Sequence, residues 1–224
     1  MTRRRVAVTG LGVVAPCGIG LDAFWDGLAQ TPEPERIRSV TGFDPTDWFD
    51  NPKQARRADR FTQLALAATT MALEDAGPVD ADPDRSGVMV GTGIGGLNTL
   101  ETQVEVRMAK GPERVSPFLV PMIMANAAAA EVSMRFGWRG PCETTTTACA
   151  AGTHSIGNAA RAIGGGRCDA MIAGSAESAL TVTSIGGFTN MTARTQPAAP
   201  DDGNTAPERS HIGKSTRFMI AWNP

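Results

Sequence analysis

Residues 144–157 limit the fold more than any other stretch. Four threonines in succession, Thr144-Thr145-Thr146-Thr147, favour an extended backbone, and the residues that follow, Ala148-Cys149-Ala150-Ala151-Gly152, are all small. A strand over Glu143–Thr147 is therefore expected to turn sharply into a helix from Cys149 to about Ile163. Ile156, Ala159, Ala160 and Ile163 share one face of that helix, and Gly164-Gly165-Gly166 ends it. A strand handing over to a helix through a tight turn exposes the residue at the turn above a sheet, and here that residue is Cys149.

The same alternation runs along the chain. Arg5 to Val14 reads as a buried strand and turn broken by Gly10 and Gly12, before a helix near Leu21–Leu28 and a loop over residues 31–52. Phe61, Leu64, Ala65, Ala68, Met71 and Ala72 recur at helical spacing over about Asp59–Ala76, with Gly77-Pro78 as the stop. Gly87–Val90 is a short buried strand. Gly91 to Met108 is a glycine-rich turn and helix, Pro121–Phe136 a helix ending before Gly137, and Asp169–Ala173 another buried strand. Alternating strands and helices place the chain in the α/β class, as one layered α-β-α domain over residues 1–193. From Arg194 the sequence turns polar and proline-rich, and residues 194–224 are expected to form an irregular tail.

Composition removes several classes of function. Among 224 residues, 21 Lys and Arg nearly balance 23 Asp and Glu, leaving a formal charge of −2 and no global field for nucleic acid. No apolar run reaches the ~18 residues of a membrane span, and Arg3-Arg4-Arg5 leads directly into Val6-Ala7-Val8, so a cytoplasmic protein is expected. Cys17, Cys142, Cys149 and Cys168 have no metal-ligand or disulfide spacing. Neither a metal nor a cofactor is expected.

The cysteine at the turn carries the chemistry. At a helix N-terminus a thiol faces the positive end of the macrodipole and free N–H groups, which favour a thiolate and can hold an oxyanion. The alternative is that Cys149 is a small buried apolar residue, with Cys17, Cys142 and Cys168 also used for packing. His154 lies about 140° around the helix from Cys149 and is read as structural, while His211 falls in the irregular tail as a surface residue. Gly91-Thr92-Gly93-Ile94-Gly95-Gly96 matches the phosphate-binding glycine fingerprint, but the loop Met108–Glu113 stands where a second strand and its acidic end should follow.

Thr147-Ala148-Cys149-Ala150-Ala151-Gly152 resembles the nucleophile segment of the elongating, type II β-ketoacyl-(acyl-carrier-protein) synthases. Further landmarks occur in order over about residues 4–193: Val6-Ala7-Val8-Thr9-Gly10-Leu11-Gly12 with Pro16, Arg60-Phe61, Gly91–Gly96, Val115-Ser116-Pro117-Phe118, Gly140-Pro141 and Gly174-Ser175-Ala176-Glu177. The resemblance implies the N-terminal half of a thiolase-like fold and a homodimer or heterodimer. It implies an acyl chain taken from acyl carrier protein onto Cys149, then a decarboxylative Claisen condensation with malonyl-carrier protein in fatty acid or polyketide biosynthesis. It makes the Cys149 N–H one oxyanion donor, Ile94 a gate and Phe188 a wall of the acyl pocket, although plain core packing remains open for both. Arg56, Arg57, Lys110 and Arg114 are candidates for carrier-protein contact, or for a solvated face.

The chain departs from the family after Ala193. The family carries two further histidines and a glycine-phenylalanine-glycine segment beyond this point, and Arg194-Thr195-Gln196-Pro197 continues differently. A truncated or frame-shifted sequence is the expectation, with open apolar faces, poor stability or association, and impaired condensation. A cysteine at the turn, where chain-length factors have glutamine, points to a condensing subunit. A non-catalytic carrier-binding or pairing subunit and another thiolase-fold acyltransferase are the alternatives.

Overall fold

A computed structural model describes residues 4–30, 37–191 and 216–222, the last stretch as backbone. The strands are β1 (Ala7–Ala15), β2 (Gly18–Ile19), β3 (Ser86–Gly91), β4 (Cys142–Glu143), β5 (Ala170–Ser175) and β6 (Thr216–Trp222). The helices are α1 (Leu21–Ala29), α2 (Pro52–Arg56), α3 (Arg60–Ala76), α4 (Leu97–Lys110), α5 (Leu119–Ile123), α6 (Ala127–Phe136), α7 (Ala151–Gly164) and α8 (Val182–Asn190). They build one mixed sheet of order β2-β1-β6-β5-β3-β4, in which β3 runs parallel to β4 and β5, and β6 runs antiparallel to β1 and β5.

Side chains alternate across a strand, so the two faces of the sheet can be read from neighbouring residues. Val88, Val90 and Ile172 pack with Phe61, Leu64 and Ala68 of α3 and Ala128, Ala129 and Val132 of α6. Met89, Met171 and Ala173, one position out of phase, pack with Ala159 and Ile163 of α7. The result is the layered α-β-α arrangement expected of the sequence. Arg85 and Asp169, just ahead of β3 and β5, join these parallel strands through a two-point hydrogen bond, and Arg4 donates to the same carboxylate at 2.9 Å.

Gly10 and Gly12 do not break the first strand, as the sequence reading supposed. β1 continues to Ala15, and a Cβ on Gly12 would come within 1.9 Å of the Ala68 carbonyl oxygen of α3. The glycines let a helix lie directly on the strand. The helix expected over 121–136 is two helices, because the Ile123 carbonyl leaves the helical pattern to accept the N–H of Gly96 at 3.3 Å. Gly137, left-handed at φ 68°, ends α6 at the expected place. The tail is not irregular throughout: residues 192–215 lie outside the described residues, but 216–222 form β6 between β1 and β5.

Candidate active site

The carboxyl ends of the parallel strands converge on the turn before α7, which is where open α/β sheets present ligands. Thr92 donates its N–H to the Thr145 carbonyl at 3.1 Å, and Ala176 donates to the Gly91 carbonyl at 3.0 Å. The threonine run, expected to be a strand, belongs to no strand beyond Cys142–Glu143. It follows the edge strand, whose one partner is β3, and stays tied to the segment after β3 through the Thr92–Thr145 bond.

Cys149 is the middle residue of a tight 3-10 turn, Ala148–Ala150, and α7 proper starts at Ala151, two residues later than the spacing suggests. Ala148 has φ 50°, and among the described residues it is the one non-glycine residue with positive φ. A left-handed residue with a Cβ costs about 1 kcal/mol. That strain sits immediately before the thiol. Ala151 and Ser155 are buried, whereas Cys149 at the tip of the same helix is exposed, which removes the packing explanation for it.

The remaining cysteines and histidines take other places. Cys168 is fully buried, and burial pushes its thiol above the ordinary range. Cys142, expected to pack, is exposed because the edge strand β4 has a neighbour on one side only, and Cys17 is half-buried. His154 lies exposed with its Nδ1 2.8 Å from Thr147 Oγ1, so its polar contact braces the turn. His211 lies outside the described residues.

The glycine-rich turn after β3 has its donors already engaged. The Glu177 carboxylate, two residues past β5, accepts the N–H groups of Gly93 and Ile94 at 3.0 Å each through Oε2, and the Thr92 hydroxyl at 3.3 Å. Its other oxygen accepts the N–H of Ser178 at 2.9 Å. A pyrophosphate would need those same N–H groups, so a carboxylate fixed on them opposes the nucleotide reading of the fingerprint. A Cβ on Gly93 would lie 2.9 Å from Glu177 Oε2 and 3.7 Å from Ala148 Cα, so the turn also abuts the cysteine-bearing segment.

Ile94 is 48% exposed at this turn and Phe188 is half-buried on α8. Neither belongs to the apolar clusters of the core. Asp59 is buried and joins two helices, accepting the Phe61 N–H at 3.2 Å at the start of α3 and the Thr99 N–H at 2.8 Å in the first turn of α4. Arg56 and Arg57 precede it, with the Arg57 guanidinium 4.2 Å above the Phe118 ring. Lys110 and Arg114 flank Gly111 at the other end of α4, a helix of 14 residues. All four basic side chains are exposed. Leu100, Val104 and Met108 recur along one stripe of α4, exposed, and α4 buries none of its residues.

Sequence reasoning overlooked Ala148 as the strained residue and Glu177 as the acceptor for the glycine turn. The available signal for Glu177 was an acidic residue two positions past a buried strand. Among the described residues no cluster of His, Cys, Asp and Glu is arranged to hold a metal ion, and no helix is long and apolar enough to cross a membrane.

Comparison with known proteins decides the family. The model of the β-ketoacyl synthase N-terminal domain matches residues 29–205. The chain belongs to the β-ketoacyl synthase family. It is 40% identical over 204 residues to 3-oxoacyl-(acyl-carrier-protein) synthase 2 of Synechocystis, covering 84% of this chain and 49% of the relative. The enzyme of the same name from Vibrio cholerae is 40% identical over 205 residues, covering 84% and 49%. The chain thus spans about half the length of the curated relatives it matches. Among solved structures, a type II polyketide ketosynthase bound to a hexaketide and in complex with its acyl-carrier protein superposes with a TM-score of 0.81 at 25% identity, over 99% of this chain and 63% of that one. The ishigamide ketosynthase/chain length factor gives 0.82 at 27% identity, over 98% and 58%. The fold of this β-ketoacyl synthase chain is accordingly the N-terminal half of the thiolase-like architecture.

Proposed function

We propose that this chain is the nucleophile-bearing half of an elongating β-ketoacyl-(acyl-carrier-protein) synthase, an acyltransferase in which Cys149 takes the growing acyl chain. The observation that carries this is an exposed cysteine just before a helix packed on the sheet, behind a strained Ala148 and above the ends of parallel strands. In the proposed first step the Cys149 thiolate attacks the carbonyl carbon of an acyl thioester on acyl carrier protein. A new sulfur–carbon bond forms, the N–H of Cys149 helps hold the oxyanion, and the donor thiolate leaves. In the second step malonyl-carrier protein loses carbon dioxide, the resulting carbanion attacks the Cys149 thioester, and the cysteine thiolate departs from the ketoacyl product. Ile94 and Phe188 line the path of the acyl chain, and neither is consumed by the core.

Acylation needs the turn; decarboxylation calls on groups the described residues do not offer. The sequence holds two histidines, of which His154 is bonded to Thr147. This chain by itself is therefore proposed to be impaired in condensation. Arg56, Arg57, Lys110 and Arg114 are proposed to meet the acidic carrier protein, and the uncovered Leu100–Val104–Met108 stripe supports pairing with a second subunit.

Mass spectrometry of the chain incubated with acyl-carrier protein tests the reading. A mass increase of one acyl group on Cys149, absent from Cys149→Ala, is expected, with little ketoacyl product after malonyl-carrier protein is added. Carrier binding without acylation would replace the acyltransferase reading with that of a non-catalytic subunit.

A further inference from the structure

A glycine-rich turn usually stands free or wraps a ligand, whereas this one is held by a side chain from the loop after a different strand. Glu177 receives three donors from consecutive residues, Thr92, Gly93 and Ile94, on one carboxylate oxygen. The other oxygen is anchored to the Ser178 N–H, and Asn98 at the start of α4 donates to the Ser178 carbonyl, so the acceptor is itself fixed from both sides. Hydrogen bonds to an ionised acceptor are the stronger kind, and two of these donors are backbone groups with no freedom to turn elsewhere. The turn pressed in this way lies against Ala148, next to the thiol, and the residue at its crest is Ile94, whose side chain is about half exposed.

We propose that Glu177 is a positioning residue for acyl-chain selection: its carboxylate fixes the backbone of Gly93 and Ile94 against the Ala148–Cys149 turn and so sets where the Ile94 side chain stands. The inference rests on the acyl-transfer reading of Cys149. A free turn would let Ile94 move aside for chains of any length. A held turn makes the fit of the chain depend on one side chain in one place.

The measurement is the ratio of Cys149 acylation rates with a short-chain and a long-chain acyl-carrier protein, taken on the full chain. Glu177→Ala is expected to change that ratio by about tenfold or more, tenfold being the lower edge of what losing a charge-assisted hydrogen bond costs. Glu177→Gln, which keeps a carbonyl oxygen for the two amides, should restore most of it. Ile94→Ala should shift the ratio in the same direction, and adding Glu177→Ala to it should change little further, since both act through one side chain. Hydrogen exchange at the Gly93 and Ile94 amides should quicken in Glu177→Ala. Should that variant not fold, Glu177→Asp, which withdraws the carboxylate by one methylene, reads the same ratio. A wild-type chain that discriminates while Glu177→Ala discriminates equally, or effects that add fully in the double variant, overturns the inference. A wild-type chain that accepts no acyl group at all removes the acyl-transfer reading instead, and the selection role with it.

Discussion

Thr147 Oγ1 and His154 Nδ1 are hydrogen-bonded at 2.8 Å, a tie that closes the turn carrying Cys149 from both sides. An exposed bond of this kind contributes about 0.5–1.5 kcal/mol. His154→Asn and Thr147→Val should each lower stability by that amount and together by less than the sum, as chemical denaturation of the two single variants and the double variant will report. If His154 only braces the turn, Cys149 acylation in His154→Asn stays within about threefold of wild type; a loss of a hundredfold or more would make the histidine the base instead.

Ala148 at φ 50° predicts an asymmetric response to substitution. Glycine tolerates the left-handed region, and its relief of strain is partly offset by the freedom it adds to the unfolded chain, so Ala148→Gly should be neutral or gain up to about 1 kcal/mol. A β-branched side chain is far less tolerant there. Ala148→Val should cost about 2 kcal/mol or more and slow Cys149 modification, measured by thermal melting and by iodoacetamide kinetics.

Asp169 gives the stability a pH dependence with a definite sign. The Arg85 hydrogen bonds foremost, with help from Arg4, hold its carboxyl below the usual carboxylate value. A depressed folded-state value means that the contribution is present above the unfolded value, about 3.9, and is lost as pH falls through the lower folded one. Asp169→Asn should cost up to about 1 kcal/mol at neutral pH, the scale of a partly exposed ion pair. The gap between variant and wild type should close in acid, as melting temperatures across pH will show.

The basic side chains around α4 call for a test by charge. Arg57→Glu and the pair Lys110→Glu with Arg114→Glu should slow acylation from a carrier-bound donor about tenfold more than from a small thioester, and the difference should shrink with added salt. Equal slowing with both donors would leave the patch as a solvated face.

What the sequence made legible was what local periodicity dictates. The α3 helix ends within a residue of the expected place because Phe61 to Ala72 mark one apolar face and Gly77 stops it. The cysteine turn followed from small residues set between a β-branched run and a helical apolar face. What stayed hidden depends on elements meeting in space. The threonine run has strand chemistry but lies past the end of an edge strand; the glycine fingerprint has phosphate-binding chemistry but meets Glu177 from the loop after β5; the helix over 121–136 is interrupted by the needs of Gly96. Residues 218–222 form a short apolar run in a polar surrounding, and nothing within that run reveals that a gap between β1 and β5 awaits it.

That central strand also bears on the order in which the molecule is expected to assemble. β6 is bonded to β1 with Trp222 opposite Ala7, and to β5 with Trp222 also opposite Ala170. Joining the first of these pairs means closing nearly the whole chain into a loop, whereas β3, β5 and α7 find one another over shorter distances. Loop-closure entropy must be met before so remote a pairing returns any energy, so the parallel strands and their helix are expected to form first and β6 to join last, an order that pulsed hydrogen exchange during refolding will check. Until that moment β1 and β5 each present an open edge, the state in which strands of different molecules seek each other.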